Sequence, residues 1–212
     1  MAVALTPGNR LPDFELPDHR GERRRLSTLQ GENPLILVIA RGHFCPKDQQ
    51  QHRLLAAFYP EIAVAYTGIV TVSTDPLPQL NALRQSTGAQ WTFLSDAERE
   101  MQRALDLEEY TDPVHRPMIP HTLVLAPGLE IFRVYNGYWY WGRPSPEDLR
   151  RDLRALSEQI RPDWDIRTPE LRANWAGDRR LHYPYRPRSH APGSLQEGVG
   201  NGGTSGPPER FV

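Results

Sequence analysis

Three observations predict an α/β fold, a central mixed sheet flanked by helices. The run Pro34–Ala40 is apolar on both alternating faces, as expected of a strand covered on both sides. Strand and helix patterns alternate after it as far as Leu105. Two further strands then follow, joined by Ala126-Pro127-Gly128 and closed by an amphipathic helix. A parallel β-α-β half followed by an antiparallel β-β-α half gives a mixed sheet.

Taken in order, residues 7–33 are rich in Pro, Gly and charge around Phe14-Glu15-Leu16, and predict an N-terminal hairpin or extended arm. After the strand at 34–40 comes a helix from Pro46, with a polar first part at 46–51 expected to be exposed. Leu54, Leu55, Phe58 and Ile62 recur at helical spacing and predict its buried part. Ile69–Ser73 reads as the next strand. Asp75-Pro76 then predicts an N-cap and a first helical proline, with Leu77, Leu80 and Leu83 inward and Gly88 as the stop. Trp91–Leu94 reads as a short strand. Ser95-x-x-Glu98 predicts a capping box for a helix carrying Met101, Ala104 and Leu105 inward. Residues 108–117 form a polar loop, and Thr122–Leu125 and Ile131–Tyr135 are the hairpin strands. Ser145-Pro146 opens the last clear helix, whose Leu149, Leu153, Leu156 and Ile160 share one face.

From about Thr168 onward Gly, Pro, Ser and Arg dominate, a composition too poor in apolar surface to order itself. The predicted organisation is an N-terminal extension over 1–33, a core over 34–166, and a largely disordered tail over 167–212, with Trp175, Tyr183 and Tyr185 as docking candidates.

The 212 residues carry a formal net charge of −1, so no global basic field draws in nucleic acid. No apolar run approaches the roughly 18 residues that span a membrane. The start lacks the basic and apolar regions of a signal peptide. A cytoplasmic protein that binds neither nucleic acid nor membrane is the expectation.

Chemistry concentrates at Arg41-Gly42-His43-Phe44-Cys45-Pro46-Lys47-Asp48. Cys45 is the only cysteine, which excludes an internal disulfide, and Lys47 is the only lysine. A thiol where a strand hands over to a helix faces unpaired N–H groups and the positive end of the helix dipole, which favour thiolate. The competing reading is a small buried hydrophobe with an inert thiol. Lys47 either assists the thiolate or is simply solvated. His43, Cys45, His115 and His121 lack a tight ligand spacing, so neither a metal nor another cofactor is expected. Tyr138-Trp139-Tyr140-Trp141 reads mainly as packing for the last helix, with a substrate channel or a dimer interface as alternatives.

The order of elements is the thioredoxin arrangement, and four segments resemble one family within it. Leu11-Pro12-Asp13-Phe14-Glu15-Leu16-Pro17-Asp18 resembles the opening of the alkyl hydroperoxide reductase/thiol-specific antioxidant (peroxiredoxin) superfamily. Arg41–Pro46 is similar to its active-site junction, and Phe93–Glu100 to the segment before its late helix. Pro120–Gly128 resembles the strand that begins, in thioredoxin folds, with a cis-proline beside the active cysteine. The resemblance covers roughly residues 5–165.

What it implies is a thioredoxin-like fold with Cys45 as the attacking sulfur on a hydroperoxide substrate. An external thiol or thiol-protein would act as reductant, and a homodimer is among the expected assemblies. Gly42, His43, Pro46, Lys47 and Pro120 would form the surroundings of the thiol. Three departures stand out. The family usually has threonine where this chain has Gly42 and proline where it has Val38; its arginine before the late strand is here Ile119. Arg116 is the first candidate to supply that cation, with Arg41 and Arg143 as others. Asp48 occupies the place of the second cysteine in a Cys-Pro-x-Cys pattern, which leaves a one-cysteine chemistry. A thioredoxin-fold module whose cysteine is modified without turnover is the alternative, and a metal-binding chaperone a remoter one.

Overall fold

The computed structural model describes residues 4–139, 141–162, 165 and 167–177. The chain forms two compact units, Met1–Pro162 and Asp163–Val212. In the first, β1 (Glu15–Pro17) and β2 (Arg23–Arg25) make the N-terminal hairpin, and the short helix α1 (Leu26–Gln30) follows. Then come β3 (Leu35–Ile39), α2 (Pro46–Val64), β4 (Gly68–Ser73), α3 (Leu77–Thr87), β5 (Thr92–Ser95) and α4 (Glu100–Ala104). β6 (His121–Ala126), β7 (Glu130–Asn136) and α5 (Pro146–Ile160) complete it.

The five-stranded sheet has the order β5-β4-β3-β6-β7. β4 runs parallel to β3 on one side, with Ile39 opposite Val72, and β6 runs antiparallel on the other, with Ile39 opposite His121. Every residue of β3 is buried, as a strand apolar on both faces requires. Its alternate side chains enter two cores. Leu35, Leu37 and Ile39 join Phe14, Leu16, Leu26 and Met101 on one face. Ile36 and Val38 join Leu55, Phe58, Leu80, Leu149 and Leu156 on the other, beneath α2, α3 and α5. The arm at 7–33 is thus part of the packed unit through Leu11, Phe14, Leu16 and Leu26.

The sheet and helix order match the sequence prediction, while several caps differ. α3 starts one residue later than expected, with Pro76 as its N-cap and no side-chain cap, because the Asp75 carboxylate is bound elsewhere. The predicted Ser95 capping box does not form. Ser95 Oγ donates to the Asp75 carbonyl at 2.6 Å, and Asp96 caps α4 by accepting from the Met101 and Gln102 amides. The box at Ser145 is present, with Asp148 as the reciprocal partner.

Two burial expectations are also corrected. Leu54 is 49 % exposed, whereas Asp48 and Gln51, expected in an exposed first part of the helix, are buried, as is His52. Tyr138, Trp139 and Trp141 are exposed and do not pack α5, which is held instead by Leu149, Leu153 and Leu156. Tyr140 lies outside the described residues. In the second unit the described residues include the helix α6 (Pro169–Gly177), where the composition predicted none. The predicted disorder of the tail beyond 177, with Tyr183 and Tyr185, lies outside the described residues. No helix among the described residues is long and apolar enough to cross a membrane.

Candidate active site

At the carboxyl end of β3 the chain leaves the sheet beside β4 and crosses into α2. Ala40 keeps one ladder bond, its N–H to the Val72 carbonyl. Residues 42–45 then close a tight turn, with the Cys45 N–H donating to the Gly42 carbonyl at 3.0 Å. Cys45 is the N-cap of α2 and Pro46 occupies the first helical position, where a missing N–H costs nothing. The Cys45 carbonyl accepts the first helical bond, from Gln49 N. Its side chain is only 2 % exposed. The thiol therefore sits at the positive end of a 19-residue helix dipole.

A cation reaches the sulfur. Arg41 Nη1 lies 3.9 Å from Cys45 Sγ. The other edge of the same guanidinium binds Glu109, Nε to Oε2 at 2.6 Å and Nη2 to Oε1 at 2.9 Å. Burial works against the Arg41 charge, but the hydrogen bonds to Glu109 and Cys45 outweigh it and hold its pKa above the ordinary arginine value. The guanidinium also lies over the Phe44 ring, 5.3 Å from its centroid, and His115 stacks on the same ring at 3.7 Å. The cation at the sulfur is thus Arg41. Arg116, the first candidate from sequence, is 56 % exposed and donates from Nε to Glu108 at 2.7 Å, a local surface pair.

Beneath the turn, Asp48 is fully buried and acts as its anchor. Its Oδ2 accepts from the Arg41 N–H at 2.7 Å and the Gly42 N–H at 3.1 Å, and its Oδ1 pairs with Arg143 Nη2. Arg143 also binds Gln51 Oε1 at 2.9 Å and the Gly137 carbonyl at 3.2 Å, and Gln51 reaches Thr122 Oγ1 at 2.8 Å. The third arginine candidate therefore fixes the backbone under the thiol. The Asp48 charge is thereby matched by a cation.

A second buried carboxylate holds the other side of the turn. Asp75 accepts from the His43 N–H at 2.8 Å, from His43 Nδ1 at 2.8 Å and from Ser73 Oγ at 3.0 Å. This bond places the proton on Nδ1 of the imidazole, whose ring is partly exposed. His52 is buried one turn into the core side of α2, between the Asp48 carbonyl and Thr71 Oγ1. Burial pushes its pKa below that of an ordinary histidine, which favours the neutral ring.

Pro120 is buried and ends the 108–120 segment immediately before β6. The β3–β6 register carries it to the strand end from which the Cys45 loop departs, and its carbonyl accepts from Gly137 N at 2.8 Å. Pro46 and Lys47 are exposed on the first turn of α2. Among the described residues no group of three His, Cys, Asp or Glu side chains could hold a metal ion.

Sequence reasoning missed the anchoring role of Asp48, and missed Gln51, His52 and Glu109 altogether. The first three continue the inward stripe of Leu55, Phe58 and Ile62 backwards at helical spacing, a signal that their polarity masked. Glu109 stands 68 residues from Arg41 and leaves no local trace.

A thiol at the start of a helix, at the carboxyl edge of a mixed five-stranded sheet, is the arrangement of a thioredoxin-fold protein. Residues 7–131 match the AhpC/TSA family model, and the chain belongs to that family. Two Mycobacterium tuberculosis proteins that carry peroxiredoxin names, from strains H37Rv and CDC 1551, are each 34 % identical over 97 residues. The match spans 44 % of this chain and 61 % of either relative, less than two thirds of their length. Among solved structures the fold is similar to peroxidoxin BcpB of Mycobacterium tuberculosis, with a TM-score of 0.60 at 22 % identity over 75 % of this chain and 98 % of that one. It is also similar to Enterococcus faecalis AhpC, with a TM-score of 0.60 at 19 % identity over 77 % and 98 %. Vibrio vulnificus Prx3, solved in complex with hydrogen peroxide, gives 0.61 at 18 % identity over 71 % and 98 %.

Proposed function

We propose that this chain is a one-cysteine thiol peroxidase. The Cys45 thiolate attacks the terminal oxygen of a hydroperoxide; the S–O bond forms as the O–O bond breaks. Cysteine is oxidised to sulfenic acid, and the peroxide is reduced to an alcohol, or to water from hydrogen peroxide, after its leaving oxygen takes a proton. One external thiol then condenses with the sulfenic acid, releasing water and leaving a mixed disulfide. A second displaces Cys45 as a thiol and leaves as the oxidised disulfide.

The observation that carries this reading is the single arginine contact at the sulfur, Arg41 Nη1 at 3.9 Å from Sγ. A cation there favours the thiolate and can bind the peroxide oxygens as charge develops on them. The helix start adds to it. The proposal includes a reducing, cytoplasmic setting, in which an external thiol or thiol-protein is at hand. It also includes a homodimer, for which Trp139 and Trp141, 70 % and 96 % exposed, are the natural contact residues.

The test mixes purified protein with hydrogen peroxide and with an organic hydroperoxide and follows Cys45 oxidation by mass spectrometry, with Cys45→Ser as control. Oxidation far faster than that of free cysteine is expected; oxidation no faster would exclude the peroxidase reading. The burial of Cys45 favours a second reading, a redox sensor modified without turnover. Sustained peroxide consumption with an added thiol separates the two.

A further inference from the structure

We propose that Glu109 is the positioning residue that aims Arg41 at the Cys45 sulfur, so that the 109–115 segment completes the site from 64 residues and more down the chain. The inference rests on the reading of Cys45 as an attacking thiolate. Arg41 projects from the strand end on a long side chain with several rotatable bonds, and within its own segment the Phe44 ring under the guanidinium offers a face but no directional acceptor. A carboxylate bonded to Nε and Nη2 leaves the Nη1 edge as the one presented to the sulfur.

Glu109 is itself held. It is buried, and Thr111 Oγ1 donates to its Oε1 at 2.6 Å. Its N–H donates to the Pro117 carbonyl at 2.9 Å, which ties the start of the segment to its end. Asp112 adds a weaker contact to Arg41 Nη2 at 3.5 Å. Asp112 also accepts from the N–H and Nδ1 of His115, whose ring lies on Phe44. Arg41 and Phe44, which both precede Cys45 in the same turn, are thus both gripped by one segment. Asp48 grips the backbone of Arg41 from the opposite side.

The Glu109 charge has two opposed effects. It repels a thiolate, and it holds a cation against one. The second wins because the cation is nearer: Nη1 is at contact distance from the sulfur, whereas both carboxylate oxygens lie on the far edge of the guanidinium. Removing Glu109 therefore weakens the thiolate although it removes a negative charge. A simple electrostatic reading predicts the opposite sign.

The test compares Glu109→Ala, Glu109→Gln, Arg41→Ala and the double variant Glu109→Ala/Arg41→Ala. The readouts are thiolate ultraviolet absorbance at neutral pH, with Cys45→Ser as blank, and the peroxide oxidation rate. Glu109→Ala is expected to lower the thiolate fraction several-fold and the rate about tenfold. The double variant is expected to be no worse than Arg41→Ala alone, since Glu109 acts through it. Glu109→Gln keeps the shape and one acceptor and is expected to fold and fall between wild type and Glu109→Ala. Equal or greater thiolate in Glu109→Gln, or independent losses that add in the double variant, would overturn the assignment. The absorbance measurement needs no peroxide, so a protein inert to peroxide removes the peroxidase reading while this one is still decided.

Discussion

Arg143 and Asp48 form a largely buried ion pair under the turn that ends in Cys45, and the same carboxylate binds two backbone N–H groups of that turn. Breaking such a pair on one side leaves an uncompensated charge in the core. Arg143→Ala is therefore expected to lower stability by about 3–5 kcal/mol, measured by urea unfolding. Asp48→Asn/Arg143→Ala should cost less than the sum of the single changes, because no charge is then left alone. A double-variant loss equal to that sum would refute a direct coupling.

Gly42 stands where the family usually has a threonine, and the structure gives a local reason. Its φ is +131°, and a Cβ placed there would meet the Asp75 carboxylate oxygens at 2.8 Å. Asp75 cannot move cheaply, because His43 and Ser73 hold it. Gly42→Thr is thus expected to destabilise the protein by about 2 kcal/mol and to slow Cys45 oxidation. Thermal melts and oxidation rates measured together check this; a faster and equally stable Gly42→Thr would contradict it.

His52 ties pH to stability. Its folded pKa is depressed by burial, with the bond from Asp48 and its charge acting the other way and Arg143 adding to the depression. The unfolded chain therefore binds a proton more readily than the folded one. His52's contribution is fully present above about pH 6.5 and is lost as pH falls from there toward the folded value, by up to about 1.4 kcal/mol per pH unit. Burial also lowers the pKa of His19 and His121, which add the same sign. Urea midpoints across this window should show a slope that His52→Gln reduces by one histidine's share. An unchanged slope would show that His52 is not buried neutral.

The repeated apolar runs were enough to read the sheet, because β3 must be covered on both faces and its neighbours carry the same pattern. Cys45 was legible for a related reason: a strand end, a proline and a helix follow one another within a few residues. What stayed hidden depends on distant pairings. Ser95-x-x-Glu98 has a capping-box spelling, yet the Ser95 hydroxyl is taken by the Asp75 carbonyl from a neighbouring strand end. Asp75-Pro76 spells a cap as well, but His43 from the β3 end binds that carboxylate. Polar residues on α2 look solvated until Arg143, Thr122 and Thr71 arrive from the loop before α5, from β6 and from β4 to satisfy them. Local propensity reads a segment correctly until a side chain from elsewhere makes a better offer.

The choice among the three arginines gives the last prediction. Arg116 is on the surface with Glu108, at a backbone φ of +46°, and its carbonyl is held by Gln102. Exposed pairs of this kind are screened by solvent and contribute little, so Arg116→Gln should leave the thermal midpoint unchanged and alter the Cys45 oxidation rate by no more than about twofold. Arg41→Lys is the sharper probe. It keeps one positive charge but lacks the fork that binds Glu109 with two donors while presenting a third to the sulfur. The oxidation rate is expected to fall about tenfold in Arg41→Lys, with its thermal midpoint near that of wild type. Stopped-flow oxidation of the two variants side by side decides between the arginines. A large loss in Arg116→Gln with none in Arg41→Lys would move the role to the 108–116 surface.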